Sequence, residues 1–166
     1  AYNYVFSLEG VNNFTLKGIV FKDITFRNNL IMSNSKKVSN VNYDSKNLNI
    51  ENCSFINCNK KGKQLINIVA CDFVSFKNCY FANNTVQTII LPVISEVLDK
   101  TVIPNKLIKE SRFNIQNCIF ENNTCEKYII NSGSVLGRSG ITISECNFIN
   151  NSFKGADIYI ETGRST

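Results

Sequence analysis

"NIQNCIFENNT" (residues 114–124) sets a Cys, a Phe and two adjoining Asn in a spacing that recurs along the chain. Aligned on the shared Phe, five segments obey one rule: IVFKDITFRNN from Ile19, LNIENCSFINC from Leu48, VSFKNCYFANN from Val74, FNIQNCIFENN from Phe113 and ITISECNFINN from Ile141. The aligned rings are Phe26, Phe55, Phe81, Phe120 and Phe148, at intervals of 29, 26, 39 and 28 residues. Repeats of that period identify a solenoid, in which each copy is one coil and buries its apolar face only against its neighbours. The long interval before Phe120 places an inserted loop at 92–111. A second insertion is read at 33–46, in SNSKKVSNVNYDSK.

Inside each copy the spacing fixes a bend. Leu48 and Ile50 are two apart, the strand period, and so are Cys53 and Phe55, but Ile50 to Cys53 is three. The odd residue would turn the second run outward unless the chain bends near Asn52. The bend positions are Asp23, Asn52, Asn78, Asn117 and Glu145. Asn and Asp tolerate the left-handed backbone conformation and bond to nearby backbone, and stacked Asn side chains bond to one another as a ladder. A second polar column follows the Phe: Asn28, Asn57, Asn83, Asn122 and Asn150, with Asn29, Cys58, Asn84, Asn123 and Asn151 beside it. It marks another corner, after which a third apolar run begins, as in QLINIV from Gln64 and KYII from Lys127. The expected fold is all-β: one parallel β-helix spanning 1–166, about five coils of three short strands, with Asn ladders at the corners and right-handed crossovers. Inward columns would hold the Phe rings, the aliphatics through Leu48 and Val74, and Ile24, Cys53, Cys79, Cys118 and Cys146.

The totals suit such a domain. The chain has 166 residues, 43% hydrophobic and 19% charged, with no His and no Trp. The net charge of +5 is spread along the chain, densest at Lys60, Lys61 and Lys63, and lacks the aromatic-studded basic face of a nucleic-acid binder. No stretch approaches the roughly 20 apolar residues of a membrane span. The opening AYNYVFSLEG has neither the basic start nor the apolar run of a signal peptide.

The F-x-N-N boxes, together with KGADIYI from Lys154 and the weaker KGKQLI from Lys61, resemble the F-x-x-N and G-G-A-I repeats of the polymorphic outer membrane proteins of chlamydiae and related repeat-bearing surface proteins. The resemblance covers about 19 to 160. It implies a right-handed β-helix like that of autotransporter passenger domains, display on a cell surface or outside the cell, and roles in adhesion.

Cys53, Cys79, Cys118 and Cys146 share one place in the repeat, and Ile24 at the same place argues for small buried side chains. Disulfides between coils are the alternative, because stacked strands lie about 4.8 Å apart, inside the usual disulfide range. With seven Cys in all, at least one thiol stays unpaired within a chain. No C-x-x-C pair and no His accompany them, so neither a metal site nor a cysteine nucleophile is expected. Nothing in the pattern calls for a cofactor.

Asn13, Asn52, Asn83, Asn122 and Asn150 begin N-x-S/T triplets. Asn52 sits at the tight bend and is expected to stay unmodified. Asn13, Asn83, Asn122 and Asn150 are candidate glycan acceptors. For the last three the alternative is an inward ladder, where no glycan fits. The enzymatic rival is a polysaccharide lyase or hydrolase, which needs clustered carboxylates or a basic residue on one face. Here Asp72, Asp99, Asp157, Glu110, Glu126 and Glu161 share no repeat position, and the outward column of Lys22, Glu51, Lys77, Gln116 and Ser144 is chemically mixed. A catalytic site is therefore not expected. FSLEG from Phe6 matches IYIETG from Ile158, which reads as a segment of a longer solenoid or a homo-oligomer stacking end to end. The functional expectation is a structural block of a surface stalk or fibre, with adhesin-like binding through the inserted loops as the alternative.

Overall fold

Runs of period 2 broken by single left-handed residues can only wind, and the chain winds into a right-handed parallel β-helix with three sheets. The computed structural model describes residues 4–34, 36–38, 41–43, 45–58, 63–69, 71, 73–93, 111–131 and 140–159. The first sheet holds Thr15–Lys17, Leu48–Glu51, Val74–Lys77, Ser111–Gln116 and Gly140–Ser144, one strand per coil. The second holds Val20–Lys22, Ser54–Ile56, Tyr80–Ala82, Ile119–Glu121 and Asn147–Ile149. The third runs Phe6–Glu9, Ile31–Asn34, Gln64–Val69, Thr85–Val93 and Thr124–Asn131, and the last of these pairs with both Ser152–Phe153 and Ala156–Tyr159. Each of these pairings is parallel, and register carries Phe6 through Ile31, Ile66, Ile90 and Ile130 to Ile158 in one column. The match between the FSLEG and IYIETG stretches is thus a match of coil phase.

Alternation decides what the lumen contains. Leu48 and Ile50 are buried, while Asn49 and Glu51 between and after them are half-buried on the outside. In the second sheet only the central residue points in, and in every coil it is Phe. Phe21, Phe55, Phe81, Phe120 and Phe148 stack with centroids 4.7 to 5.0 Å apart and planes within 9° of parallel. Such pairs contribute about 0.5–1.5 kcal/mol each beyond the area they bury.

The first coil corrects the alignment by five residues. Register pairs Phe21, not Phe26, with Phe55, and Leu16 with Ile50. Gly18 therefore stands at the bend assigned to Asp23, Ile19 takes the place assigned to Ile24, and Asp23 forms the second corner in place of Asn28. Phe26 is buried but lies past that corner, outside the ring stack. Lys17 rather than Lys22 faces Glu51, at 3.3 Å, an exposed lysine on a half-buried carboxylate. The physical reason is that the bend demands a positive φ, which Gly18 meets at 67° as readily as Asn. The interval from Phe21 to Phe55 becomes 34 residues, and its excess forms an antiparallel hairpin, Lys36–Val38 with Val41–Tyr43, inside the insertion read at 33–46. The insertion read at 92–111 lies mostly outside the described residues, although Thr85–Val93 and Ser111–Gln116 reach into it as strands.

Both corners are single residues. Gly18, Asn52, Asn78, Asn117 and Glu145 make the first at φ of 51° to 67°; Asp23, Asn57, Asn83, Asn122 and Asn150 make the second at 49° to 56°. Glu145 is the one member with a side chain poorly suited to that region, where L residues other than Asn and Asp are strained by about 1–2 kcal/mol. Glu145→Asn is expected to stabilise the fold by about 1 kcal/mol and raise the thermal midpoint, because it relieves strain and can continue the Asn117 ladder. An unchanged or lower midpoint would count against the assigned corner.

Candidate functional site

The corner geometry sorts the asparagines into two ladders with opposite exposure. At the first corner Asn78 Nδ2 donates to Asn52 Oδ1 at 3.0 Å and Asn117 Nδ2 donates to Asn78 Oδ1 at 2.8 Å, all three exposed. At the second corner the left-handed residues Asn83, Asn122 and Asn150 are exposed, and it is the residue after each that turns into the lumen. Asn84 Nδ2 donates to Asn123 Oδ1 at 2.9 Å and to Phe55 O at 2.9 Å, and Asn123 repeats the pattern one coil on, to Asn151 Oδ1 and Phe81 O. The same oxygens also cap backbone: Cys58 N donates to Asn84 Oδ1 and Asn84 N to Asn123 Oδ1. Of the two alternatives for Asn83, Asn122 and Asn150, the inward one is excluded, and the inner ladder belongs to their neighbours. A third pair stands where the third sheet turns into the first: Asn47 Nδ2 donates to Asn13 Oδ1 at 2.6 Å, both residues exposed.

The cysteine column has a polar role that its exchange with isoleucine conceals. The thiol after each left-handed bend donates back to the carbonyl before it, which also accepts a backbone N–H of the preceding coil: Cys53 to Glu51 O at 3.3 Å, Cys79 to Lys77 O at 3.4 Å, Cys118 to Gln116 O at 3.3 Å and Cys146 to Ser144 O at 3.2 Å. Cys58 occupies the ladder place in the coil before Asn84 and makes the ladder's bond in weaker form, to Phe21 O at 3.6 Å. None of the seven cysteines is in a disulfide, and all but Cys146 are buried. Burial pushes Cys58 up to about 11 and Cys125 up to about 12. A hydrogen bond with the Cys79 thiol, together with burial, holds the Cys118 proton more tightly still. Cys58, Cys118 and Cys125 are thus held as protonated donors.

Two outcomes follow. The native chain should be alkylated slowly at pH 8 at all but its more open thiols, whereas denaturant should release seven; rapid reaction of all seven in the native state would contradict their burial. Stability should also fall as pH rises. Unfolded thiols ionise near 9 and folded Cys58 and Cys125 near 11 and 12, so above pH 9 the unfolded state binds fewer protons and is favoured through that window. Chemical denaturation at pH 7 and pH 10.5 measures this.

A surface depression of about 720 Å³ lies on the outer face of the first sheet, floored by Asn49, Ser75 and Asn114 of successive coils and edged by Asn13, Asn47 and Phe73. No ionisable side chain lines it, so it offers amides, hydroxyls and one aromatic edge but no group that transfers a proton at neutral pH. Among the described residues no three acids, Cys or His gather as metal ligands, and no helix is long and apolar enough to cross a membrane. On the outer face of the second sheet Tyr80 donates to Glu121 at 2.6 Å, which raises the phenol, again a bond between strands.

The KGADIYI stretch has its own steric reason. Gly155 N donates to Lys127 O at 3.0 Å, and a Cβ at Gly155 would lie 2.5 Å from that oxygen and 2.7 Å from the Tyr128 ring. Only glycine lets the chain re-enter the third sheet there. No family model, curated protein or solved structure matches the chain.

Proposed function

We propose that this solenoid is a non-catalytic structural module of an extracellular stalk or fibre. The observation that carries the reading is the straightness of its columns: rings, thiols, amides and aliphatics each keep one register from coil to coil. That repetition stiffens a rod along its axis, while the outer positions of the same strands vary in charge and size. The resemblance of the F-x-N-N boxes to the repeats of polymorphic outer membrane proteins supports placement at a cell surface, and end-to-end association of copies fits a shape whose edge strands share one phase. The uncharged lining of the depression on the first sheet supports a non-catalytic role.

A second reading, adhesin-like binding, draws on that same depression, where amides and hydroxyls from successive coils lie beside the Phe73 ring and suit a neutral polar ligand. Incubation with a panel of neutral and acidic polysaccharides separates these readings from an enzyme. The expected result is no release of reducing ends or unsaturated sugars; turnover on any polymer would overturn the non-catalytic reading. Saturable binding abolished by Asn49→Ala with Phe73→Ala, without turnover, would favour the adhesin over the stalk.

A further inference from the structure

The second corner brings a modification motif and an open geometry together. In three successive coils its residues read Asn83-Asn84-Thr85, Asn122-Asn123-Thr124 and Asn150-Asn151-Ser152, each an N-x-S/T triplet. The left-handed first residue and the ladder residue after it divide the work of the triplet. The middle Asn is spent on the lumen, while the outer Asn and the hydroxyl residue two positions on are both exposed on the same side. Register stacks Thr85 on Thr124 on Ser152, so the three triplets form one file at the strand spacing of about 4.8 Å. In the two earlier coils the same places hold Asp23-Ile24-Thr25 and Asn57-Cys58-Asn59, which are not acceptors.

We propose that Asn83, Asn122 and Asn150 carry N-linked glycans, in a row along this one edge of the rod; the proposal rests on the extracellular reading above. The side-chain amides are not engaged within the described residues, unlike Asn13 and Asn52, whose oxygens accept from Asn47 and Asn78. A depression of about 150 Å³ adjoins the row, lined by Thr85, Thr124 and Ser152, by the charged Glu126 and Lys154 and by the half-buried Phe153. The donor is an oligosaccharide linked through a diphosphate to a lipid. Asn Nδ2 forms a bond to sugar C1, the C1–O bond to the diphosphate breaks, the lipid diphosphate leaves, and one amide proton passes to a base of the transferring enzyme. A sugar at these positions meets solvent, so the fold accepts it without repacking; at Asn84 or Asn123 it would have no room.

The test is secretion of the full chain from a eukaryotic host behind a supplied leader, followed by peptide mapping before and after glycosidase. Glycan mass is expected on the three peptides, with the loss of one glycan each in Asn83→Gln, Asn122→Gln and Asn150→Gln. Thr85→Ala, Thr124→Ala and Ser152→Ala should lose the same glycans while the acceptor Asn remains, which guards against a misfolded Asn variant. Secreted chain with cooperative melting and three bare sites overturns the row and leaves the stalk reading standing. Chain that folds in the cytosol but is never exported overturns both.

Discussion

Phe81→Ala is expected to cost about 3–5 kcal/mol, several times the cost of Lys77→Ala. Phe81 is fully buried and is sandwiched between Phe55 at 4.8 Å and Phe120 at 4.7 Å, so truncation removes two stacked faces and opens a void that parallel strands cannot close. For a domain of this size the loss lowers the thermal midpoint by roughly 10 °C. Phe120→Ala should behave alike, since its ring lies between Phe81 and Phe148. Lys77 is exposed on the first sheet's outer face, and its removal should stay within about 0.5 kcal/mol. Equal midpoints for Phe81→Ala and Lys77→Ala would refute the inward stack.

Asn123→Leu is the second large effect, and it separates hydrogen bonding from filling of space. Leucine matches the volume but leaves the Asn84 backbone N–H without its acceptor and removes the bonds from Asn84 Nδ2, to Phe81 O and to Asn151 Oδ1, all at 2.9 to 3.0 Å, although Asn151 Oδ1 keeps the Asn123 backbone N–H. The buried orphan costs about 1–3 kcal/mol and each of the other lost bonds about 0.5–1.5 kcal/mol, so the sum is about 3–5 kcal/mol. Asn122→Gly, one residue earlier, is the control. Its side chain is exposed and its φ of 52° suits glycine, which limits the change to about 1 kcal/mol. Urea titration of both variants decides the point, and a milder effect for Asn123→Leu than for Asn122→Gly would sink the inner ladder.

The two predictions trace what the sequence could reveal. The winding, the three faces and the Phe column are legible because the odd spacing from Ile50 to Cys53 admits only a bend, and Asn is the ordinary side chain for a left-handed bend. The first coil is not legible by the same rule. Gly18 meets the bend with no side chain to mark it, and FKDITF imitates the box five residues late. Which of two adjoining asparagines faces inward is also hidden: Asn83 and Asn84 are chemically identical, and only the position of the positive φ decides. The thiol bonds carry no mark of their own in the sequence, since the carbonyl each one meets already accepts a backbone N–H of the neighbouring coil and demands no side-chain donor.

The most direct test of the stack is a set of distance contacts between ring protons in solution, with selectively labelled phenylalanine assigned by single substitutions. The stack requires contacts of Phe55 with Phe21 and Phe81, and of Phe120 with Phe81 and Phe148, across 34, 26, 39 and 28 residues of chain. Contact of Phe55 with Phe26 in place of Phe21, or no contact between Phe81 and Phe120, would contradict it.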